Sequence, residues 1–368
     1  MKSIRYLGCL LSVIVGMAGA NAQKLKPGFD RAEYIELMSV FARQVDTLPA
    51  NTPIPKPQRF RFVYRSPVVG LDNRWDLWTS PDSVAVLCIR GTTLEPAGWL
   101  ENFYAAMVPA KGHIVLTNDY KFDYQLAEDP RAAVHVGWLI GTAFLAQDMR
   151  PRIDSCVKAG IQHFYIMGHS QGGAIAYLMT SHLRQLQRAG AIPTGVTFKT
   201  YCSAAPKPGN LQYASEYEAL TVGGWGFNVV NAADWVPEMP VTIQTLDDFN
   251  PINPFAGAPD LIRKQKFPKR LAMRYVFNQL ARPARKARDN YRKYLGNFAG
   301  KYVKTNLKEY VPPTFYPSTA YVRTGTIISL IPDAEYYKTY PQEKGKIFVN
   351  HVIMPYIDLV RRMPEPRR

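Results

Sequence analysis

Cysteine is scarce in this 368-residue chain: there are four, Cys9, Cys88, Cys156 and Cys202. Removal of the N-terminal segment described below would leave three, an odd number, and two of those sit in apolar, strand-like runs. The chain does not read as a disulfide-stapled scaffold; the three read as small buried hydrophobes. Histidine is sparse too, at six residues, and no Cys/His cluster has metal-ligand spacing. Neither a G-x-G-x-x-G run nor a P-loop occurs, so no metal or organic cofactor is implied. Carboxylates are short of cations, 29 Asp and Glu against 45 Lys and Arg, a net charge of +16.

Against these absences, residues Phe164 to Tyr177 stand out, reading FYIMGHSQGGAIAY. A short apolar run, Phe164 to Met167, predicts a buried strand. It enters Gly168-His169-Ser170-Gln171-Gly172, and Ile175, Leu178, Met179, Leu183 and Leu186 then recur at helical spacing. Strand, G-x-S-x-G and helix in this order form the nucleophile elbow of α/β-hydrolases. The turn is tight enough to hold Ser170 strained and outward, and the amide of Gln171 opens the helix where an oxyanion would form. A spectator serine in a Gly-rich turn is the bland alternative; the abrupt strand-to-helix switch argues against it.

A nucleophile of this kind needs a base, and in this fold the chain order is serine, acid, histidine. Of His113, His135, His163, His169, His182 and His351, only His351 comes late enough, since His182 lies on the elbow's own helix and points away from Ser170. His351 follows an expected short strand, Ile347 to Val349. For the acid, Asp234 is favoured. It follows the strand-like run Phe227 to Val230, and the carboxyl ends of sheet strands form the rim where ligands bind. Glu238, Asp247 and Asp248 in the same loop remain open. Upstream, the strand Val84 to Ile89 ends in Arg90-Gly91-Thr92-Thr93, where Thr92 offers an amide and a hydroxyl to an oxyanion hole.

Together these residues resemble the class 3 lipase family, the fungal Rhizomucor type. Ile89-Arg90-Gly91-Thr92 with Trp99-Leu100 is similar to its F-R-G-T/S…W segment. Val134 to Trp138 resembles its V-H-x-G-F strand, and Gly168 to Gly173 its G-H-S-L-G-G, with Gln171 for Leu. Thr200 to Asn210 resembles T-F-G-x-P-R-V-G-N, with Cys202 and Lys207 as departures. Val229 to Pro240 resembles V-V-N-x-x-D-x-V-P-x-x-P, and Tyr321 to Gly325 the strand before the histidine. The resemblance covers roughly Asp82 to Asp358. It implies an α/β-hydrolase fold, with a mostly parallel sheet flanked by helices. It also implies Ser170 as nucleophile, Asp234 as acid, His351 as base, and Thr92 with Gln171 as oxyanion hole, while His135 would be structural. In the family a lid follows the R-G-T block. Trp99, Phe103 and Met107, at i, i+4 and i+8, are expected to share one face of such a helix; a fixed core helix is the equal alternative.

At the N-terminus, Lys2 and Arg5 precede an uncharged run, Tyr6 to Ala20, and Ala20-Asn21-Ala22 makes an A-x-A cleavage site. Residues 1–22 therefore read as a signal peptide, cleaved after Ala22, for a secreted or periplasmic protein. Cys9 lies too near the start to serve readily as a lipoprotein anchor. Residues 23–368 read as the hydrolase domain, with an insertion at 241–319. From Asp260 to Tyr310 fifteen Lys and Arg face three Asp and Glu. Met273, Val276, Phe277 and Leu280 predict one helix, Tyr291, Leu295, Phe298 and Tyr302 another, with a break at Arg282-Pro283. This basic helical cap is expected to be either a solvated structural element or a contact for anionic lipid or polysaccharide, through Arg285, Lys286, Arg288, Arg292 and Lys293. Nucleic acid is not expected, since no recognised module accompanies the charge. The expected function is hydrolysis of carboxylic esters, foremost those of acylglycerols. A phospholipase, a feruloyl or polysaccharide esterase, a non-catalytic hydrolase-fold binding protein and a basic adhesion protein are the alternatives.

Overall fold

The computed structural model describes residues 24–44 and 52–364; the expected signal peptide lies outside the described residues. Seven strands form one sheet in chain order: β1 (Arg61–Arg65), β2 (Trp75–Thr79), β3 (Val84–Ile89), β4 (His163–His169), β5 (Thr197–Ser203), β6 (Gly226–Asn231) and β7 (Thr326–Leu330). From β3 to β7 every neighbour is parallel, while β1 and β2 add an antiparallel edge. Every residue of β3, β4 and β6 is buried. Strands covered on both faces need apolar side chains in both directions, hence runs such as VAVLCI rather than an alternating pattern.

Among the described residues ten α-helices cover the sheet and build its rim: α1 (Arg31–Phe41), α2 (Pro96–Phe103), α3 (Val136–Lys158), α4 (Gln171–Arg188), α5 (Leu211–Leu220), α6 (Ala258–Arg263), α7 (Lys269–Arg292), α8 (Ala299–Asn306), α9 (Ala334–Thr339) and α10 (Ile353–Arg362). One large apolar core joins α3 and α4 to one sheet face, and a second joins α1 and α10 to the other. Lys199 of β5 is buried and ion-paired with Glu33 of α1, and the hydroxyls of Tyr165 and Tyr201 also donate to Glu33. A buried charge tolerates no missing partner, so this cluster fixes where α1 sits. Cys88, Cys156 and Cys202 are buried and free.

The connection from β6 to β7 is the long excursion. Ile243 pairs with Thr319 at its base. Within it the structure departs from the sequence reading in two places. First, α7 runs unbroken through Pro283. A proline costs a helix the bond to the carbonyl four residues earlier. Here that residue is Gln279, which is exposed, so the orphaned carbonyl faces solvent. Second, a π-helical turn at Lys293–Phe298 separates α7 from α8. The extra residue per turn breaks the expected stripe. Tyr291 and Leu295 face inward, while Phe298 and Tyr302 are about half exposed.

Two expected strands are also displaced. Tyr321 to Gly325 is irregular, and β7 begins one residue later, after Gly325 turns the chain at φ 81°. Ile347 to Val349 forms turns, with the His351 amide bonded to the Phe348 carbonyl at 2.9 Å. Aromatic packing explains this: Phe348 lies 5.5 Å from Trp235 and 6.2 Å from Trp99, and the Trp235 indole donates to the Ile347 carbonyl. The V-H-x-G-F block is a three-residue strand only to His135, which then caps α3 by accepting from the Trp138 amide.

Candidate active site

The elbow is built by close backbone approach. β4 ends at His169, α4 begins at Gln171, and Ser170 between them has φ 61° and ψ −132°. That left-handed conformation is strained for any residue with a side chain. Two glycines make the turn possible. A Cβ on Gly168 would meet the Gly172 carbonyl oxygen at 2.1 Å, and one on Gly172 would meet the Ile89 carbonyl oxygen at 2.3 Å. Spacing in the sequence thus has a direct steric cause: strand and helix are too close for anything larger.

Ser170, His351 and Asp234 come together from three parts of the chain. His351 Nε2 is 2.8 Å from Ser170 Oγ, and His351 Nδ1 is 2.7 Å from Asp234 Oδ2. Asp234 is fully buried at its side chain, and His351 is mostly so. Both carboxylate oxygens of Asp234 are held: Oδ2 also accepts from the Tyr356 hydroxyl at 2.7 Å, and Oδ1 accepts from the Val236 amide at 3.0 Å. The three competing carboxylates are engaged elsewhere or turned away. Asp247 binds Arg285 and Arg288, Asp248 binds Thr245 and Ser318, and Glu238 is exposed.

Polar groups behind the ring hold the His351 backbone in place. His169 Nε2 donates to the His351 carbonyl at 2.7 Å, and its Nδ1 is 3.0 Å from Ser203 Oγ, which in turn lies 2.6 Å from the Tyr34 hydroxyl. Asn231 donates to the Asn350 carbonyl at 2.9 Å. The sequence reading missed these positioning contacts, and Tyr356 with them. Tyr356 sits five residues past His351 on the apolar face of α10, where an aromatic residue reads as core.

At the oxyanion side, the Thr92 hydroxyl accepts from Asn102 Nδ2 at 2.9 Å and donates to Gln171 Oε1 at 3.1 Å. Gln171 Nε2 reaches the Gly98 carbonyl at 3.3 Å. The Gln171 amide is at the first position of α4, where helix geometry supplies no acceptor. Asn102 is itself fixed, its Oδ1 accepting from the Trp138 indole at 2.9 Å. His135 donates from Nε2 to the Asn102 carbonyl at 3.2 Å.

These groups open onto a cavity of about 640 Å³. Its walls are apolar: Phe41 and Ile54 from the N-terminal part, Trp99 and Phe103 from α2, Trp235, Val236 and Met239 beyond Asp234, and Val352 to Met354 beside His351. Tyr291 and Leu295 from the excursion complete it. Among the described residues no Asp, Glu, Lys or Arg lines it. Trp99 and Phe103 do share the cavity side of α2, but Met107 does not. It lies after the helix in a short strand, fully buried against Ala133 and Tyr321. The eight-residue helix ends at Phe103 because the chain must pair at Met107 with His135. Among the described residues no group of three or more His, Cys, Asp and Glu is placed to hold a metal ion.

Burial keeps three histidines neutral. It pushes His135 down to about 3, His182 down to about 4, and His169 well below its ordinary value, the last also repelled by His351. An unfolded chain takes up these protons near pH 6.5, whereas the folded chain refuses them. Stability is therefore full above about pH 6.5 and is lost as pH falls, at up to about 1.4 kcal/mol per pH unit for each histidine. Urea unfolding at a series of pH values should show the free energy of folding dropping steeply from pH 6.5 to 4.5. A flat profile across that window would contradict the neutral burial of all three.

Five parallel strands in order, with a strained serine between β4 and the helix that follows it, define the α/β-hydrolase fold. The class 3 lipase family model matches residues 86–244 of the chain. It is similar in structure to Rhizomucor miehei triacylglyceride lipase, at 17% identity and a TM-score of 0.44, over 58% of this chain and 77% of that one. The Rhizomucor miehei lipase propeptide complex is similar at 17% identity and a TM-score of 0.43, and the chain spans 65% of its length with 58% of its own. The lipase of Rhizopus microsporus var. chinensis gives 19% identity and a TM-score of 0.42, over 57% and 69% of the two chains. Among curated proteins none matches.

Proposed function

We propose that this chain is an exported serine hydrolase of carboxylic esters, with acylglycerols as its substrate class. The carrying observation is the line Ser170–His351–Asp234 at the floor of a largely apolar cavity that no described Asp, Glu, Lys or Arg lines. Ser170 Oγ attacks the ester carbonyl carbon and gives its proton to His351 Nε2. Asp234 holds the ring in the tautomer that accepts there and stabilises the imidazolium that forms. The Thr92 and Gln171 amides take the negative charge of the tetrahedral intermediate, and the Thr92 hydroxyl, bonded to Gln171 Oε1, holds the two segments together. His351 then protonates the leaving alcohol as the C–O bond breaks. Water, deprotonated by the same histidine, cleaves the acyl-enzyme and restores Ser170.

The cavity favours a fatty acyl group over polar acids. A phospholipid headgroup or an acidic sugar would be recognised by cationic side chains, and among the described residues no Lys or Arg lines this cavity. Burial of acyl methylenes is worth about 0.8 kcal/mol each. Across a series of p-nitrophenyl esters, kcat/KM should rise from acetate to octanoate by at least about a hundred-fold, and methyl ferulate should be a poor substrate. A preference for acetate or ferulate over octanoate would move the substrate class to an acetyl or hydroxycinnamoyl esterase.

A further inference from the structure

The outer half of the excursion presents a surface that the hydrolase body does not use. Between Leu261 and Lys286 there are nine Lys and Arg and no carboxylate. In the same segment Phe267, Leu271, Tyr275, Val276 and Leu280 are all more than half exposed, up to 75% at Phe267. A solvated structural helix has no cause to expose so many large apolar side chains among its cations.

Ion pairing divides the cations into two groups. Arg285 and Arg288 clamp Asp247 at 2.8 and 2.7 Å, and Arg292 lies 3.7 Å from Asp289. Arg285 and Arg288, expected from sequence to meet an anionic surface, instead tie α7 to the turn that carries Asp247, while Arg292 pairs within α7 itself. Lys264, Lys266, Lys269, Arg270 and Arg274 have no carboxylate within ion-pair distance among the described residues. Arg282, Lys286 and Lys293 further along are also without an ion pair among the described residues, but the unpaired charge is densest on the outer part, where five such cations stand alongside the exposed apolar residues.

Helix geometry links this part to the active site. Met273, Val276, Leu280, Ala284, Ala287 and Tyr291 stand at i, i+3, i+7, i+11, i+14 and i+18, one stripe along a helix of about 36 Å. Its inner end, Tyr291, lines the cavity above Ser170; its outer end is in solvent.

We propose that residues 261–280 form a docking arm for an anionic lipid bilayer. The cations meet the headgroups, the interleaved apolar side chains enter the acyl boundary, and α7 lies along the surface and leads to the cavity mouth. Charge complementarity selects an anionic partner. The aliphatic side chains select a bilayer over a polyanion in water, which has no apolar phase to take them. No described helix is long and apolar enough to cross a membrane, so the arm lies on the surface. The use of the arm for catalysis rests on the ester-hydrolase reading; its binding does not.

Co-sedimentation of the full chain with phosphatidylcholine vesicles, with and without 30 mol% phosphatidylglycerol, tests this directly. Binding should need the anionic lipid and fall at least about ten-fold from low to physiological salt, as screening over ~8 Å requires. Gln at Lys264, Lys266, Lys269, Arg270 and Arg274 together should weaken binding by at least about a hundred-fold. Ser at Phe267, Leu271, Val276 and Leu280 should also weaken it, and both variants should melt like the parent and keep turnover of a soluble short-chain ester. Indifference of the parent to lipid charge and salt would overturn the arm with no variant needed. If the Ser variant binds vesicles undiminished, or the parent binds heparin as tightly as vesicles, the partner is a polyanion and the bilayer is refuted. If Ser170→Ala leaves ester turnover intact while vesicle binding behaves as expected, the hydrolase reading falls and the arm stands.

Discussion

Replacement of Ser170 by Ala should lower kcat for p-nitrophenyl octanoate by about 10⁶-fold, and replacement of His351 by Ala should lower it about as much. The near-equality is the informative part. Ser170 Oγ and His351 Nε2 are 2.8 Å apart. A serine without its base is a neutral alcohol, and a base without its serine has no proton to take, so the pair acts as one unit. The double variant should therefore be no worse than either single one. Ser170→Ala removes one oxygen from a position whose backbone strain exists with either residue, so melting temperature should change little and cavity binding should survive. Rates measured with each purified variant, checked by fluorophosphonate labelling of the parent alone, decide the matter. A His351→Ala protein with more than about a hundredth of the parent rate would remove His351 from the reaction.

That pairing was legible in the sequence because local sterics and chain order leave few solutions. Gly168 and Gly172 are forced by contacts with the backbone at 2.1 and 2.3 Å, so the elbow announces itself in five residues. β3, β4 and β6 were legible for a similar reason: burial on both faces demands unbroken apolar runs. Asp234 stands at the end of one such strand, and His351 is the one histidine late enough to follow it.

What was not legible depends on contacts between distant segments. The cavity takes Phe41 and Ile54 from one end of the chain and Tyr291 and Leu295 from the excursion. No periodicity in any single segment says that these meet. Ile347 to Val349 has the composition of a strand, yet Trp99 and Trp235 capture Phe348 and the chain turns instead. Pro283 reads as a helix stop because a buried helix could not leave the carbonyl of Gln279 without a partner; at an exposed position that objection disappears. The charge of the excursion was plain in composition, but its division between a clamp on Asp247 and an unpaired outer arm depends on side-chain geometry.

The clamp and the cavity also depend on each other. Asp247 holds Arg285 and Arg288, and one to two turns further on the same helix Tyr291 enters the cavity wall, followed by Leu295 in the π-helical turn. The position of that apolar wall is set by ion pairs that are themselves partly exposed. An exposed pair contributes little to global stability, so this network acts on where the wall sits more than on whether the protein folds.

Asp234→Asn should cost about 10⁴-fold in kcat. The loss exceeds that of an ordinary hydrogen bond because it acts on the His351 proton. The carboxylate accepts from Nδ1–H at 2.7 Å, which leaves Nε2 bare to receive the serine proton. An asparagine can present its NH₂ to Nδ1 instead, which stabilises the tautomer with the proton on Nε2, facing Ser170, where it blocks the transfer. Tyr356→Phe probes the same carboxylate more gently. Its hydroxyl donates to the same Oδ2 at 2.7 Å, and removal of a hydrogen bond to a charged group costs about 1.5–3 kcal/mol. Part of that appears as stability and part as rate, so kcat should fall by about ten-fold, with KM nearly unchanged because Tyr356 does not line the cavity. In Asp234→Asn, rate should recover partially at high pH, where hydroxide competes for the misplaced proton; Tyr356→Phe should show no such recovery. An Asp234→Asn enzyme within ten-fold of the parent across the whole pH range would take the acid's role away from Asp234.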